Sequence, residues 1–232
     1  MLRLITDFDG PIMDVSERYY RVYLYCLDQL KAPHQQVKIL TKSAFWQLKR
    51  SRVPEKDIGL RSGLEPEQAE KFAQLRRATV HTLPYLPYDQ PWPEALATLE
   101  RLQTLDVELI VMTMRRVCEL DEALQRVNLS VFFPLASRYC LSNDYVKTTD
   151  IEDKPRLMAR AVAELPPVDS VWMVGDTEAD IVAAHSHQIP VVAVLSGIRD
   201  REQLSQFKPR HIVANLGEAV DWILAQEQEQ EG

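Results

Sequence analysis

Short apolar runs separated by longer amphipathic stretches dominate the pattern of this chain. The runs 2–6, 107–113, 171–174, 191–195 and 211–214 are each bounded by a turn signal or a switch to polar residues, and each is too short for a helix. They read as buried strands. The stretches between them read as helices. In 91–104 prolines open the segment, and Leu96, Leu99 and Leu102 then recur at spacing three, while 154–164 stops at Pro166-Pro167. Strands alternating with helices predict an α/β fold, a doubly wound, mostly parallel Rossmann-like sheet covered on both faces.

One stretch breaks the alternation. From 14 to 88 the pattern offers helices and no strand. The segment 16–30 has an apolar face of Tyr19, Tyr20, Tyr23, Leu24 and Leu27, and further helices are expected over 35–50 and 65–83, with Ser62-Gly63 as the break between them. This predicts an all-helical insertion, 14–88, in a core made of 1–13 and 89–232. The proline-rich 84–93 is the return crossing, and the first crossing lies near 13–15. The Gln/Glu-alternating tail, 225–232, is expected to fray.

Charge sharpens the division. The formal net charge is −7, yet 15–88 holds 13 Lys+Arg against 7 Asp+Glu, a net of +6, which leaves −13 for the remainder. An acidic balance argues against a nucleic-acid partner. A basic insert over an acidic body suits attraction of an anion into a shared cleft. No apolar run nears the roughly 20 residues of a membrane span. The chain enters a strand at once, leaving no room for a signal peptide, and Cys26, Cys118 and Cys140 are far apart, so reduced thiols in a cytoplasmic protein are expected, as monomer or homodimer. His185 and His187 lie two apart on a helix, do not share a face, and read as structural.

The strongest chemical signal is Asp7-Phe8-Asp9-Gly10 directly after the first strand. In open α/β sheets ligands bind outside the carboxyl ends of the strands, and Gly10 permits a turn that leaves backbone N–H groups facing an anion. Gly175-Asp176 ends another strand, with Asp180 one helical turn on. Convergence of Asp7, Asp9, Asp176 and Asp180 calls for a cation, and an all-oxygen set selects a hard one, Mg²⁺ first. Thr113 closes a third strand, and Lys154 supplies a positive charge.

Asp7-x-Asp9-Gly10, Thr113, Lys154 and Gly175-Asp176-x-x-x-Asp180 occur in the order of the four motifs of the haloacid dehalogenase-like (HAD) hydrolases, which the chain resembles over nearly its whole length. Its helical insert is similar to the cap of the phosphoglycolate phosphatase-like group. The resemblance implies a Mg²⁺-dependent phosphatase acting on a small phosphorylated substrate, phosphoglycolate-like or a sugar phosphate. Asp7 would be the nucleophile that forms an aspartyl-phosphate, and Asp9 would be the acid and then the base. The metal would use Asp7, the Asp9 backbone carbonyl and Asp176, with Asp180 acting through water or by orienting Lys154. Gly10, Thr113, Met114 and Lys154 would hold the phosphate. A phosphomutase needs the same Asp pair, and a non-catalytic binding protein on the same fold is a further alternative. Three departures bear on the substrate: Pro11, the run Met114-Arg115-Arg116, and a segment 140–153 without a glycine-rich stretch. Arg115 is open to two readings, a substrate contact or an ion pair at a helix start. In the insert, Lys49, Arg50 and Arg52 beside Phe45-Trp46 are candidates to meet the substrate's distal anionic group.

Overall fold

The computed structural model describes residues 1–231, and side chains through residue 229. In chain order it runs β1 (Leu2–Thr6), β2 (Met13–Asp14), α1 (Ser16–Leu30), α2 (Lys42–Arg50), α3 (Glu55–Arg61), α4 (Pro66–Thr79), β3 (Gln90–Pro91), α5 (Pro93–Leu102), β4 (Val107–Arg116), α6 (Val117–Arg126) and β5 (Arg138–Leu141). The second half adds α7 (Asp150–Glu164), β6 (Ser170–Gly175), α8 (Glu178–His185), β7 (Val191–Val194), α9 (Arg201–Ser205), β8 (His211–Val213) and α10 (Leu216–Glu231). Six strands form one parallel sheet in the order β5-β4-β1-β6-β7-β8.

Period-two alternation sorts each strand between two cores. Leu4, Val111, Trp172, Val174, Val192 and Val194 face α5, α6 and α10. Ile5, Ile110, Met112, Met173, Val191 and Ala193 face α7 and α8. Both faces are therefore apolar, which is why these strands read as continuous runs. The pairing Thr6↔Val174 brings the chain beyond β1 alongside the end of β6, and Asp7 N–H donates to the Val174 carbonyl at 2.9 Å.

Helices α1–α4 gather a third cluster around Tyr23, Phe45, Ile58 and Phe72. The two crossings lie side by side, because β2 pairs antiparallel with β3 in the register Met13↔Pro91. The helix expected over 35–50 is shorter and begins at Lys42. Thr41 caps it by accepting from Ala44 N–H at 3.2 Å. Upstream, the Leu40 N–H donates to the Tyr23 hydroxyl and the Leu40 carbonyl accepts from the Tyr20 hydroxyl, each at 2.9 Å, so tyrosines of α1 satisfy a backbone that needs no helix. The pattern also missed α3, whose Gly59 weakens the helical signal but allows close approach: a Cβ there would lie 3.2–3.3 Å from Phe72 and Ala69. It missed α6 and β5, stopped β4 three residues early, and started α7 at Lys154 rather than Asp150; Pro155, which suits a helix start, lies inside the helix. The tail is helical to Glu231 rather than frayed, and Gly232 lies outside the described residues. Among the described residues no helix is long and apolar enough to cross a membrane.

Phe72 is fully buried at the α1–α3–α4 junction. Phe72→Ala is expected to destabilise the fold by about 3–5 kcal/mol in urea unfolding.

Candidate active site

The carboxyl ends of β1, β4 and β6 open onto a cavity of about 430 Å³, roofed by the helical insert. Asp7, Asp9, Thr113, Met114, Lys154 and Asp176 line it from the sheet side, and Tyr19, Lys49, Arg52 and His81 from the insert. The sheet topology thus brings together the strand tips that the sequence singled out.

Gly10 makes the turn after β1 at φ +95°, a region that a side chain strains. Its carbonyl accepts from Trp92 Nε1 at 3.0 Å and from Ser196 Oγ at 2.9 Å, so the turn is held from the return crossing and from the segment after β7. Three glycines leave room for acids. A Cβ would lie 2.4 Å from the Asp176 carboxyl carbon at Gly10, 1.8 Å from Asp176 Oδ2 at Gly197, and 2.2 Å from the Asp180 carboxyl carbon at Gly175.

Into this space fold Asp7, Asp176 and Asp180, with carboxylate oxygens within 4.8 Å of one another. Lys154 Nζ lies 2.7 Å from Asp7 Oδ2 and also contacts Asp180 Oδ1. Lys154 is fully buried, its amine held above the ordinary lysine range because Asp180 and Asp7 outweigh the burial that opposes its charge. Asp180 Oδ2 accepts from Asp176 N–H at 3.1 Å, Thr177 N–H at 2.9 Å and Thr177 Oγ1 at 2.7 Å. With both oxygens engaged, Asp180 orients Lys154 and caps α8. Asp176 Oδ2 accepts from Ile198 N–H at 2.6 Å.

Three acids against one ammonium leave a formal charge of −2 in a buried space. Burial, then the Asp180 charge, raises Asp176 to about 7, and burial raises Asp7 well above the usual range even with Lys154 beside it. A hard divalent cation fits this oxygen-donor set and would let both acids ionise.

Asp9 departs from the expected acidic cluster. Its Oδ2 accepts from Arg18 Nη2 at 2.8 Å and its Oδ1 from Arg115 Nε at 2.9 Å. Burial opposes its charge, but Arg115 and Arg18 outweigh it and hold the carboxyl well below the ordinary range. The Asp9 side chain is therefore no metal ligand here. Arg115 resolves toward an ion pair, on Asp9 and on buried Asp89, and not at the helix start that one reading placed it. Thr113 lies buried at the cavity wall, its hydroxyl accepting from Arg115 N–H at 3.3 Å.

The basic run of α2 divides. Lys49 lines the cavity and pairs with Glu55, and Arg52 reaches Glu178 at 3.3 Å. Arg50 points elsewhere: its Nη1 donates to the Leu195 carbonyl at 2.8 Å, while Ser51 Oγ donates to Asp200 Oδ2 at 2.8 Å. These bonds join the insert to the segment after β7, so Arg50 is a latch and not part of the cavity wall. His185 and His187 stay outside the cavity, as expected.

Sequence reasoning missed Arg18, His81, Asp89, Lys147 and Gly197. Ser196-Gly197, a turn signal at the tip of a further strand, was the one legible hint. His81 is held well below the ordinary histidine range by burial and by Arg18 and Lys147.

A family model described as HAD-hydrolase-like matches residues 153–219, the span that carries Lys154, Asp176 and Asp180. Over that span the chain is similar to HAD-like hydrolases. Phosphoglycolate phosphatase of Neisseria gonorrhoeae is 30% identical over 150 residues, 62% of this chain and 60% of that protein, so the match spans well under two thirds of the relative's length. Among solved structures, a provisionally named phosphatase from Clostridium difficile superposes with TM-score 0.71 at 20% identity, covering 96% of this chain and 97% of that one. A haloacid dehalogenase-like family protein from Streptococcus pneumoniae gives 0.66 at 19%, covering 95% and 97%. The likeness to these structures is one of fold and runs over nearly the whole chain.

Two outcomes follow from the crowding around Asp176. Because Asp176 must shed its proton to bind a cation, affinity should fall up to about tenfold per pH unit below its raised value and level off above it. The Mg²⁺-induced rise in melting temperature should therefore be larger at pH 8 than at pH 6. Gly197→Ala should fold yet lose most of that rise, since a Cβ there displaces the Asp176 carboxylate.

Proposed function

We propose that this HAD-like chain is a divalent-metal-dependent phosphatase that hydrolyses a small phosphate monoester through an aspartyl-phosphate at Asp7. The observation that carries this reading is the Asp7 carboxylate, at the tip of β1, sharing one buried cluster with Asp176, Asp180 and Lys154 in a cavity of small-molecule size. Mg²⁺ is the proposed ion: held by Asp7 and Asp176, it would neutralise the repulsion between an anionic nucleophile and an anionic phosphate.

The chain's own residues do the rest. Asp7 attacks phosphorus, and Lys154 stabilises charge on the transferring oxygens while it keeps Asp7 in place. The Thr113 hydroxyl and the Met114 N–H hold phosphate oxygens, whereas the Gly10 N–H, expected to do the same, is donated to the Met13 carbonyl at 2.9 Å and Gly10 lies outside the cavity wall. Asp9, a carboxylate between two guanidiniums, suits the base that activates water against the intermediate. For the preceding step it protonates the leaving oxygen: the arriving phosphate dianion offsets the two guanidinium charges, so that Asp9 carries a proton on a lone pair that the arginines leave free. The 14–88 insert acts as the cap that excludes water, with Arg50 and Ser51 latching it to the core. Lys49 and Arg52 face the cavity as partners for a distal anionic or polyhydroxyl group. The phosphoglycolate phosphatase relative makes a phosphorylated small acid the first substrate to try.

A panel of phosphate monoesters with Mg²⁺ tests the reading. Asp7→Asn should lower turnover of the best substrate by at least about a thousandfold. Equal slow release by wild type and variant on every compound contradicts the proposal, and transfer to a second hydroxyl without phosphate release would mark a mutase instead. Lys49→Ala and Arg52→Ala should raise KM. Arg50→Ala should leave KM for that substrate within about threefold, because its partly buried hydrogen bond to the Leu195 carbonyl lies outside the cavity and is worth little.

A further inference from the structure

Beside the acid cluster lies a second buried charge group whose architecture the chemistry above leaves unexplained. Arg18 on α1, Asp89 just before β3, Arg115 near the end of β4 and Asp9 after β1 come from separate segments and form a closed ring. Arg18 bridges Asp9 at 2.8 Å and Asp89 at 3.1 Å, and Arg115 bridges Asp9 at 2.7 Å and also contacts Asp89. The Arg18 and Asp89 side chains are fully buried and Arg115 nearly so, whereas Asp9 keeps 25% exposure on the cavity side. The formal charges cancel, the condition for burying two guanidiniums.

Asp89 does not line the cavity. Its backbone carbonyl accepts from Arg126 Nη1 at 3.0 Å, which pins it from α6. Nη1 of Arg18 and Nη1 of Arg115 have no hydrogen-bond partner, so the polar contacts that set both forks come from the two carboxylates, with the Phe8 ring packed against Arg115 and the Tyr19 ring against Arg18. With Asp89 removed, two guanidiniums would converge on Asp9 with one positive charge in excess and no second anchor to set their angle.

Resting on the proposed phosphatase reading, we infer that Asp89 is a positioning residue: it holds Arg18 and Arg115 as a double fork on Asp9 and so fixes the direction from which the Asp9 carboxyl meets the leaving-group oxygen. Because Arg18 rides on the first insert helix and Asp89 on the return crossing, the seating of the insert and the aim of Asp9 are one geometric event.

The test separates aim from fold by leaving group. The full-length protein is assayed with its best alkyl phosphate and with 4-nitrophenyl phosphate, whose nitrophenolate departs without a proton. Asp89→Asn, nearly isosteric, should lower kcat on the alkyl ester about ten- to hundredfold with KM little changed, and lower release from the aryl ester less than about threefold. In an Asp9→Ala background the same substitution should cause no further loss, since a residue that acts through Asp9 has nothing left to aim. If Asp89→Asn does not fold, Arg115→Lys, which keeps the charge but not the fork, should give the same split. Equal losses on both esters, or an additive loss beside Asp9→Ala, overturn the inference while leaving the phosphatase reading intact. A wild-type protein inert toward every ester overturns both.

Discussion

Three carboxylates crowded at the carboxyl edge of a parallel sheet, against a single buried lysine, form the constraint around which the rest of this molecule is arranged. Like charges at such spacing in a dry space repel strongly. They stay together because strand register leaves Asp7 and Asp176 no other place, because Gly10, Gly175 and Gly197 present no Cβ, and because backbone N–H groups of 176, 177 and 198 point at them. The site is thus a product of sheet topology as much as of acid chemistry. The residual charge suits a cation, the reading proposed above.

The two acids of Asp7-x-Asp9 stand two residues apart and live in opposite electrostatic surroundings. Asp7 sits among other acids and holds its proton more tightly than usual, and Asp9 sits between guanidiniums and holds its proton less tightly. Phe8, fully buried between them with the Arg115 guanidinium 5.1 Å from its ring centre, separates the two neighbourhoods. In the proposed reaction a nucleophile and a proton carrier need such different surroundings, and a five-residue strand followed by one glycine turn would provide both.

Much of this was legible in the chain itself. Strands buried on both faces announce themselves as unbroken apolar runs, and acids directly after two of them locate the binding edge. What escaped detection did so for physical reasons. The helix expected over 35–40 is a loop because hydroxyls from a distant helix take its hydrogen bonds, a contact that no local pattern encodes. A helix expected from 154 begins at Asp150, because a proline, which favours the first turn, here sits five residues in. Lys154, Arg18 and Arg115 carry charges that usually belong to the surface, and their burial follows from partners far away in the chain. Asp89 is the extreme case: a lone acid in a proline-rich stretch with no periodicity, whose role arises only when four segments meet.

The side-by-side crossings at Met13 and Pro91 carry a last consequence. A guest whose entry and exit strands touch can be removed or exchanged without stretching its host, because the gap it leaves is spanned by a tight turn. The sheet, with its cluster of acids, is in that sense indifferent to the length of chain set above it. Arg18, reaching down to Asp9, and the Arg50, Ser51 and Arg52 side chains, bonded to Leu195, Asp200 and Glu178, break that indifference, and a replacement would have to supply these bonds anew.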